Sequence, residues 1–234
     1  MVCHGNVCAR GGRALTLESG AVAPDGSPVA LYLLLPSFGE PEIVHAAIPE
    51  GASILELGCG VGRMTRELVR LGHPATAVDE SPEMLAHIRG AETVEARIED
   101  LDLGRRFDGV LLASHFVNVA DVDERRRLLE TCERHVTTRG RVVIEAYAAD
   151  WHPQAGDVAG HEDLEIRYAR ADWNDSTVTA VIEYRVGERR WTQGPFTAAV
   201  LDEPALVASL GAAGLAFDGW LDDRRTWFAA RRIT

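Results

Sequence analysis

Ser53-Ile54-Leu55-Glu56-Leu57-Gly58-Cys59-Gly60-Val61-Gly62-Arg63 decides the fold. Residues 54–57 are a short apolar run interrupted only by Glu56, which suits a parallel strand covered on both faces. Gly58, Gly60 and Gly62 then let the backbone turn sharply and let a ligand approach without Cβ clashes. A helix over 61–71 follows, and its free N–H groups and positive dipole end point at that ligand. Three glycines alone are a weak signal. The dinucleotide fingerprint is G-x-G-x-x-G, and here the last gap is one residue short. A second apolar strand, Ala75-Thr76-Ala77-Val78, ends in Asp79. A carboxylate about twenty residues past the first glycine can accept both hydroxyls of a ribose.

Taken together, Glu56, Gly58, Gly60, Gly62 and Asp79 match E/D-x-G-x-G-x-G with an acidic residue closing the second strand. The sequence therefore resembles the class I, Rossmann-like S-adenosylmethionine-dependent methyltransferases. The resemblance covers residues 40–150 and 203–232. It implies an α/β fold: a seven-stranded, mostly parallel sheet with helices on both faces. It also implies S-adenosylmethionine as the cofactor. In the family, the residue after the acidic one and the next helix start border the adenine, which here are Glu80, Ser81 and Met84. The loop after the third strand often carries an Asp on the adenine amino group. Arg97 stands in that place, which leaves the backbone N–H of Ile98 and the carboxylate of Glu99 to meet the ring. A segment before the first helix often covers the donor, and Tyr32 is the residue suited to lie over its methionine part. Cys59, Arg63 and Ala113 complete the expected donor set, with Glu56 supporting the loop.

The chain has 234 residues and 46% hydrophobic content, enough for one large domain with an insertion. Net charge is −12, which argues against nucleic acid or an anionic membrane as partner, because both need a basic face. No signal peptide and no apolar run near eighteen residues is present, so a cytoplasmic location is expected. Cys3, Cys8, Cys59 and Cys132 do not form a disulfide framework. Cys3, His4 and Cys8 lack a second ligand pair, and His161-Glu162-Asp163 reads as a solvated loop, so no metal is expected.

Along the rest of the chain, Ala23-Pro24-Asp25-Gly26-Ser27-Pro28 reads as a turn, and 41–48 as a short helix stopped by Pro49. Ser81-Pro82 starts a further helix. Residues 93–96, 107–113 and 141–147 read as the third, fourth and fifth strands, with a helix over 121–136. Residues 164–173, 178–186 and 191–200 alternate apolar and polar side chains, with turns at 174–175 and 187–188. That pattern predicts three antiparallel strands. They resemble the inserted sheet of some small-molecule family members, including sugar N-methyltransferases. A helix over 203–213 and a hairpin over 217–231 close the chain. The expected organisation is an N-terminal segment, 1–38, covering the donor; a core, 39–149 and 201–234; and an antiparallel insertion, 150–200, covering the acceptor or forming a homodimer contact.

In open α/β sheets ligands sit beyond the carboxyl ends of the strands. His115 and Asn118 follow the fourth strand and fall at that mouth. His115 is the candidate general base, since an imidazole near pKa 6.5 suits proton uptake from an acceptor. Tyr147, Trp151 and His152 follow the fifth strand and are expected to line the acceptor site. The implied activity is O- or N-methylation of a small-molecule acceptor. Aminoalkyl transfer or cyclisation on the same donor, and non-catalytic binding of the donor or a metabolite, are the alternatives.

Overall fold

The computed structural model describes residues 16–17, 20–161 and 163–233. Cys3, His4, Cys8 and Glu162 lie outside them. In chain order the elements are β1 (Thr16–Leu17), α1 (Val29–Tyr32), α2 (Glu40–Ala47), β2 (Ile54–Leu57), α3 (Arg63–Arg70) and β3 (Ala75–Asp79). Then come α4 (Pro82–Leu85), β4 (Glu92–Glu95), β5 (Phe107–Leu112), α5 (Val122–His135) and β6 (Val136–Glu145). Strands β7 (Val158–His161), β8 (Leu164–Asn174), β9 (Thr177–Val186) and β10 (Arg189–Ala199) follow. Helix α6 (Glu203–Ala212), β11 (Leu215–Trp220) and β12 (Trp227–Arg232) end the fold.

Seven strands form the core sheet in the order β11-β12-β6-β5-β2-β3-β4. Strands β2 to β6 are parallel, whereas β12 runs antiparallel to both β6 and β11. The strand order reverses between β2, the first parallel strand, and β5 beside it, which opens a crevice at their carboxyl ends. All four residues of β2 are buried, as a strand covered on both faces requires. On one face, α5 and α6 pack through Leu128, Leu129, Cys132, Leu206 and Leu210. On the other, α2 and α3 pack through Val44, Ala47, Met64 and Leu68. Both helix starts after β3 and β5 are capped by side chains: Ser81 accepts from Met84 N–H and Asp121 from Glu124 N–H.

The second sheet has the order β1-β10-β9-β8-β7. Three of its strands match the alternation in the sequence. Strand β7 is a fourth that the sequence reading left out, and it ends on His161, which was expected in a loop. Its Val158-Ala159-Gly160-His161 stretch is too short and too low in β-branched residues to stand out alone. It forms because β8 presents an edge to pair with, and Gly160 lets the backbones meet: a Cβ there would lie 2.5 Å from the Leu164 carbonyl oxygen. The fifth strand, β1, pairs parallel to β10 in the register Thr16 with Arg189. Among the described residues no helix is long and apolar enough to cross a membrane.

Candidate active site

The glycine turn after β2 is held from β3. Asp79 Oδ2 accepts the Gly60 N–H at 2.8 Å and Oδ1 accepts the Ser81 N–H at 2.9 Å. Gly58, Gly60 and Gly62 have φ of 70°, 54° and 77°, a left-handed run that side chains resist. The three differ in what a Cβ would meet. At Gly58 it would strike the Phe116 ring at 2.3 Å, and at Gly62 the Ile88 side chain at 2.3 Å. At Gly60 it would enter open space. All three are therefore favoured by their positive φ, and at Gly58 and Gly62 a Cβ would also have to displace the Phe116 ring or the Ile88 side chain.

The space is a cavity of about 220 Å³. Of the expected donor residues, it brings together Tyr32, Gly58, Gly60, Asp79, Glu80, Met84, Ile98 and Glu99. Arg97 also lines it and donates to Glu99 Oε1 at 2.7 Å; burial pushes that carboxyl up, but its own backbone N–H and then Arg97 outweigh it and hold it below its ordinary range. The other expected donor residues stand behind the wall. Ser81 is fully buried as a helix cap, and Ala113 and Cys59 pack in the core. The Cys59 thiol is pushed up by burial and by the nearby Glu56 and Asp79 carboxyls, so it stays protonated. Arg63 turns away to Glu40 Oε1, 2.6 Å, and to the Pro36 carbonyl, 3.0 Å, tying α2 to the loop. Glu56 is 4% exposed and accepts a hydrogen bond from Thr65 Oγ1. Burial raises its pKa to about 7.

Beyond β5 the chain makes a tight turn in which Ser114 and His115 both adopt left-handed conformations, φ 53° and 59°. Such backbone is sparsely populated for side-chain-bearing residues, and consecutive cases mark a turn over-determined by its surroundings. Glu145, at the end of β6, supplies the determination. Its Oε2 accepts the Ser114 N–H at 2.7 Å, and its Oε1 lies 3.7 Å from His115 Nε2. Burial lowers the His115 pKa, with Glu145 opposing, so the imidazole is neutral at pH 7. Ser114 and Phe116, on either side of it, line the cavity beside Asp79.

His115 also begins a column of rings. It stacks on Tyr147 at 4.0 Å, and Tyr147 stacks on Trp151 at 3.6 Å. Trp151 meets Tyr168 and Trp173 edge-on, and His152 stacks on Trp173 at 3.9 Å. The column packs against Val178, Ala180 and Ala198 of the second sheet. Burial pushes the Tyr147 and Tyr184 phenols up, so both stay as neutral O–H groups. Asn118 is placed differently. It is 1% exposed, its amide N–H bonds the Ala199 carbonyl at 2.8 Å, and its Oδ1 accepts the Tyr147 N–H at 2.9 Å. Its side chain is turned into the protein and positions Tyr147 instead of facing a ligand.

Several residues of this region escaped the sequence reading: Asp25, Ser27, Phe116, Glu124, Leu128, Glu145 and Gln193. Glu145 alone carried a signal, as the one charge in Val142-Val143-Ile144-Glu145-Ala146, the counterpart of Glu56 in its own strand.

Residues 54–140 match the family model described as a methyltransferase domain. That stretch is similar to a methyltransferase domain. The fold around that domain is the class I, Rossmann-like methyltransferase fold. A sugar N-methyltransferase, KedS8 from Streptoalloteichus, superposes with a TM-score of 0.68 at 21% identity, over 98% of this chain and 100% of its own. The CcbJ methyltransferase from Streptomyces caelestis gives 0.71 at 18% identity, over 88% and 96%. In sequence, the dTDP-4-amino-2,3,4,6-tetradeoxy-D-glucose N,N-dimethyltransferase of Saccharopolyspora spinosa is 27% identical over 63% of each chain. An uncharacterized methyltransferase of Mycobacterium tuberculosis is 31% identical over 61% of each chain. The matched region thus spans about three fifths of these relatives.

Proposed function

We propose that this protein is an S-adenosylmethionine-dependent methyltransferase acting on a nitrogen or oxygen of a small-molecule acceptor. One observation carries the reading: Asp79 and the glycine loop are locked together at the wall of a cavity, where a Cβ on Gly60 would meet no protein atom. A ribose fits a carboxylate that already faces two backbone N–H groups, and the missing Cβ leaves room for the chain of the donor. Met84 and Ile98 supply apolar surface for the adenine, with Glu99 as acceptor for its amino group. Tyr32 covers the cavity from the N-terminal side. The names of the relatives favour the same chemistry, several of them aminosugar dimethyltransferases.

Bound there, the donor supplies a methyl group attached to a positively charged sulfur. The protein's part is to hold the acceptor in line, exclude water and take up a proton. The His115, Tyr147 and Trp151 column is the wall against which the acceptor rests, with the second sheet above it. His115 is the proton acceptor. The Glu145 carboxylate beside Nε2 favours the proton there and leaves the Nδ1 lone pair to receive the one the acceptor loses.

The test is incubation of the protein with a metabolite extract and a deuteromethyl donor, followed by mass spectrometry. A labelled small molecule together with S-adenosylhomocysteine is expected. Release of methylthioadenosine would replace methyl transfer by aminoalkyl transfer, and no turnover with any fraction would overturn the enzymatic reading.

A further inference from the structure

The wall of the donor cavity that includes Asp25, Ser27 and Tyr32 belongs to the segment before α2, not to the glycine-loop core. Ala23 and Val29 rest on Val61 and Met84 through apolar contact. Its polar anchor comes from elsewhere. Gln193, on β10 of the second sheet, donates from Nε2 to Ser27 Oγ at 2.8 Å and reaches the Tyr32 hydroxyl at 3.4 Å. Ser27 in turn donates to Asp25 Oδ2 at 2.7 Å, so its only hydroxyl proton is used and its lone pairs are what Gln193 satisfies. Ser27 is 4% exposed, which makes that acceptor costly to leave unpaired. Gln193 itself does not line the cavity. It is the last β10 residue in regular register with β9 before the shift between Gln193 and Phe196, so its side chain shares a face of the strand with Trp191. The strand pair β1–β10 brings the same N-terminal segment to the same strand.

We infer that Gln193 is a positioning residue of the donor site, the group by which the second sheet holds the donor lid closed over the cavity. The inserted sheet then serves both reactants: its inner face covers the aromatic column, and β10 sets how long the donor stays. This rests on the donor reading proposed above.

The decisive variants are Gln193→Ala and Gln193→Glu in the full chain, compared with wild type by calorimetric titration of S-adenosylmethionine and S-adenosylhomocysteine. Glutamate keeps the shape of the side chain, but its carboxylate has no N–H to give Ser27 and adds a second negative charge near Asp25. Both variants are expected to weaken binding of both ligands about five- to tenfold, the worth of one buried hydrogen bond. With donor saturating, kcat is expected to stay near wild type while the donor KM rises. Ser27→Ala should weaken binding comparably, and the Ser27→Ala/Gln193→Ala pair should lose no more than either alone. Wild-type affinity in Gln193→Glu, or full additivity in the pair, would overturn the inference alone. A wild-type chain that binds neither ligand would overturn the donor reading and this inference with it.

Discussion

Asp79 carries two loads, because the carboxylate assigned to the ribose also shapes the loop that receives it, through Gly60 and Ser81. Asp79→Ala should therefore lower donor affinity more than tenfold by calorimetry, while Asp79→Asn, which keeps one acceptor oxygen, should fall between. His115 gives a pH prediction. Its pKa is held below the ordinary 6.5, so the base form survives into mildly acid solution. The acid limb of the kcat profile should fall below pH 6.5, and His115→Gln should flatten it and cut kcat about 100-fold, within the range for a lost general base. Glu56 gives a stability prediction. Its pKa is about 7 in the folded protein against an ordinary 4.5, so the folded state binds the proton more tightly. That contribution is fully present below pH 4.5, is lost as pH rises towards 7, and comes to about 3 kcal/mol. Glu56→Gln removes a titrating group while keeping an acceptor for Thr65. Its unfolding free energy should gain on wild type across that interval, measured by urea titration at several pH values.

The elements show which parts of the chain speak for themselves. Strands β2 and β3, the glycine turn and α5 are local statements: an apolar run, residues free to adopt positive φ, and a capped amphipathic helix. Boundaries that depend on a distant partner are not local. Strand β6 starts at Val136, directly after α5, whereas Arg139-Gly140 reads as a turn before a strand at 141. The extension exists because Phe107 pairs with Val136, and Gly140 fits because a Cβ would lie 2.6 Å from the Asp108 carbonyl oxygen. The site divides in the same way. The glycine loop is contiguous and was legible, whereas Glu145, Gln193 and Ser27 reach their partners only through the packing of distant elements. At the junction of α5 and β6, buried His135 donates from Nδ1 to the Thr131 carbonyl and accepts the Leu103 N–H at Nε2, 3.0 Å. Only the neutral ring can do both. Its pKa is lowered by burial, so stability is full above pH 6.5 and declines as pH falls below it. His135→Ala should cost about 2–4 kcal/mol in denaturant unfolding, through the orphaned Leu103 N–H and the cavity left behind.

At the scale of the molecule, the two sheets are joined around the aromatic column, and Asn118 is the rivet. Its one amide spans Tyr147, just beyond β6, and Ala199 at the end of β10. Asn118→Ala should destabilise the chain by about 2–3 kcal/mol while leaving a single unfolding transition, because both sheets share that core. It should also raise the acceptor KM more than the donor KM, since Tyr147 is part of the wall proposed for the acceptor. The pairing of Ser27 with Gln193 has a consequence for biosynthesis. The two residues are 166 positions apart in the chain. At 5–20 residues per second a ribosome needs roughly 8–30 s to travel between them. During that interval the Rossmann half can already have been made while its roof has nothing to fasten to. The donor proposed for this cavity thus meets a complete berth only after Gln193 has been made.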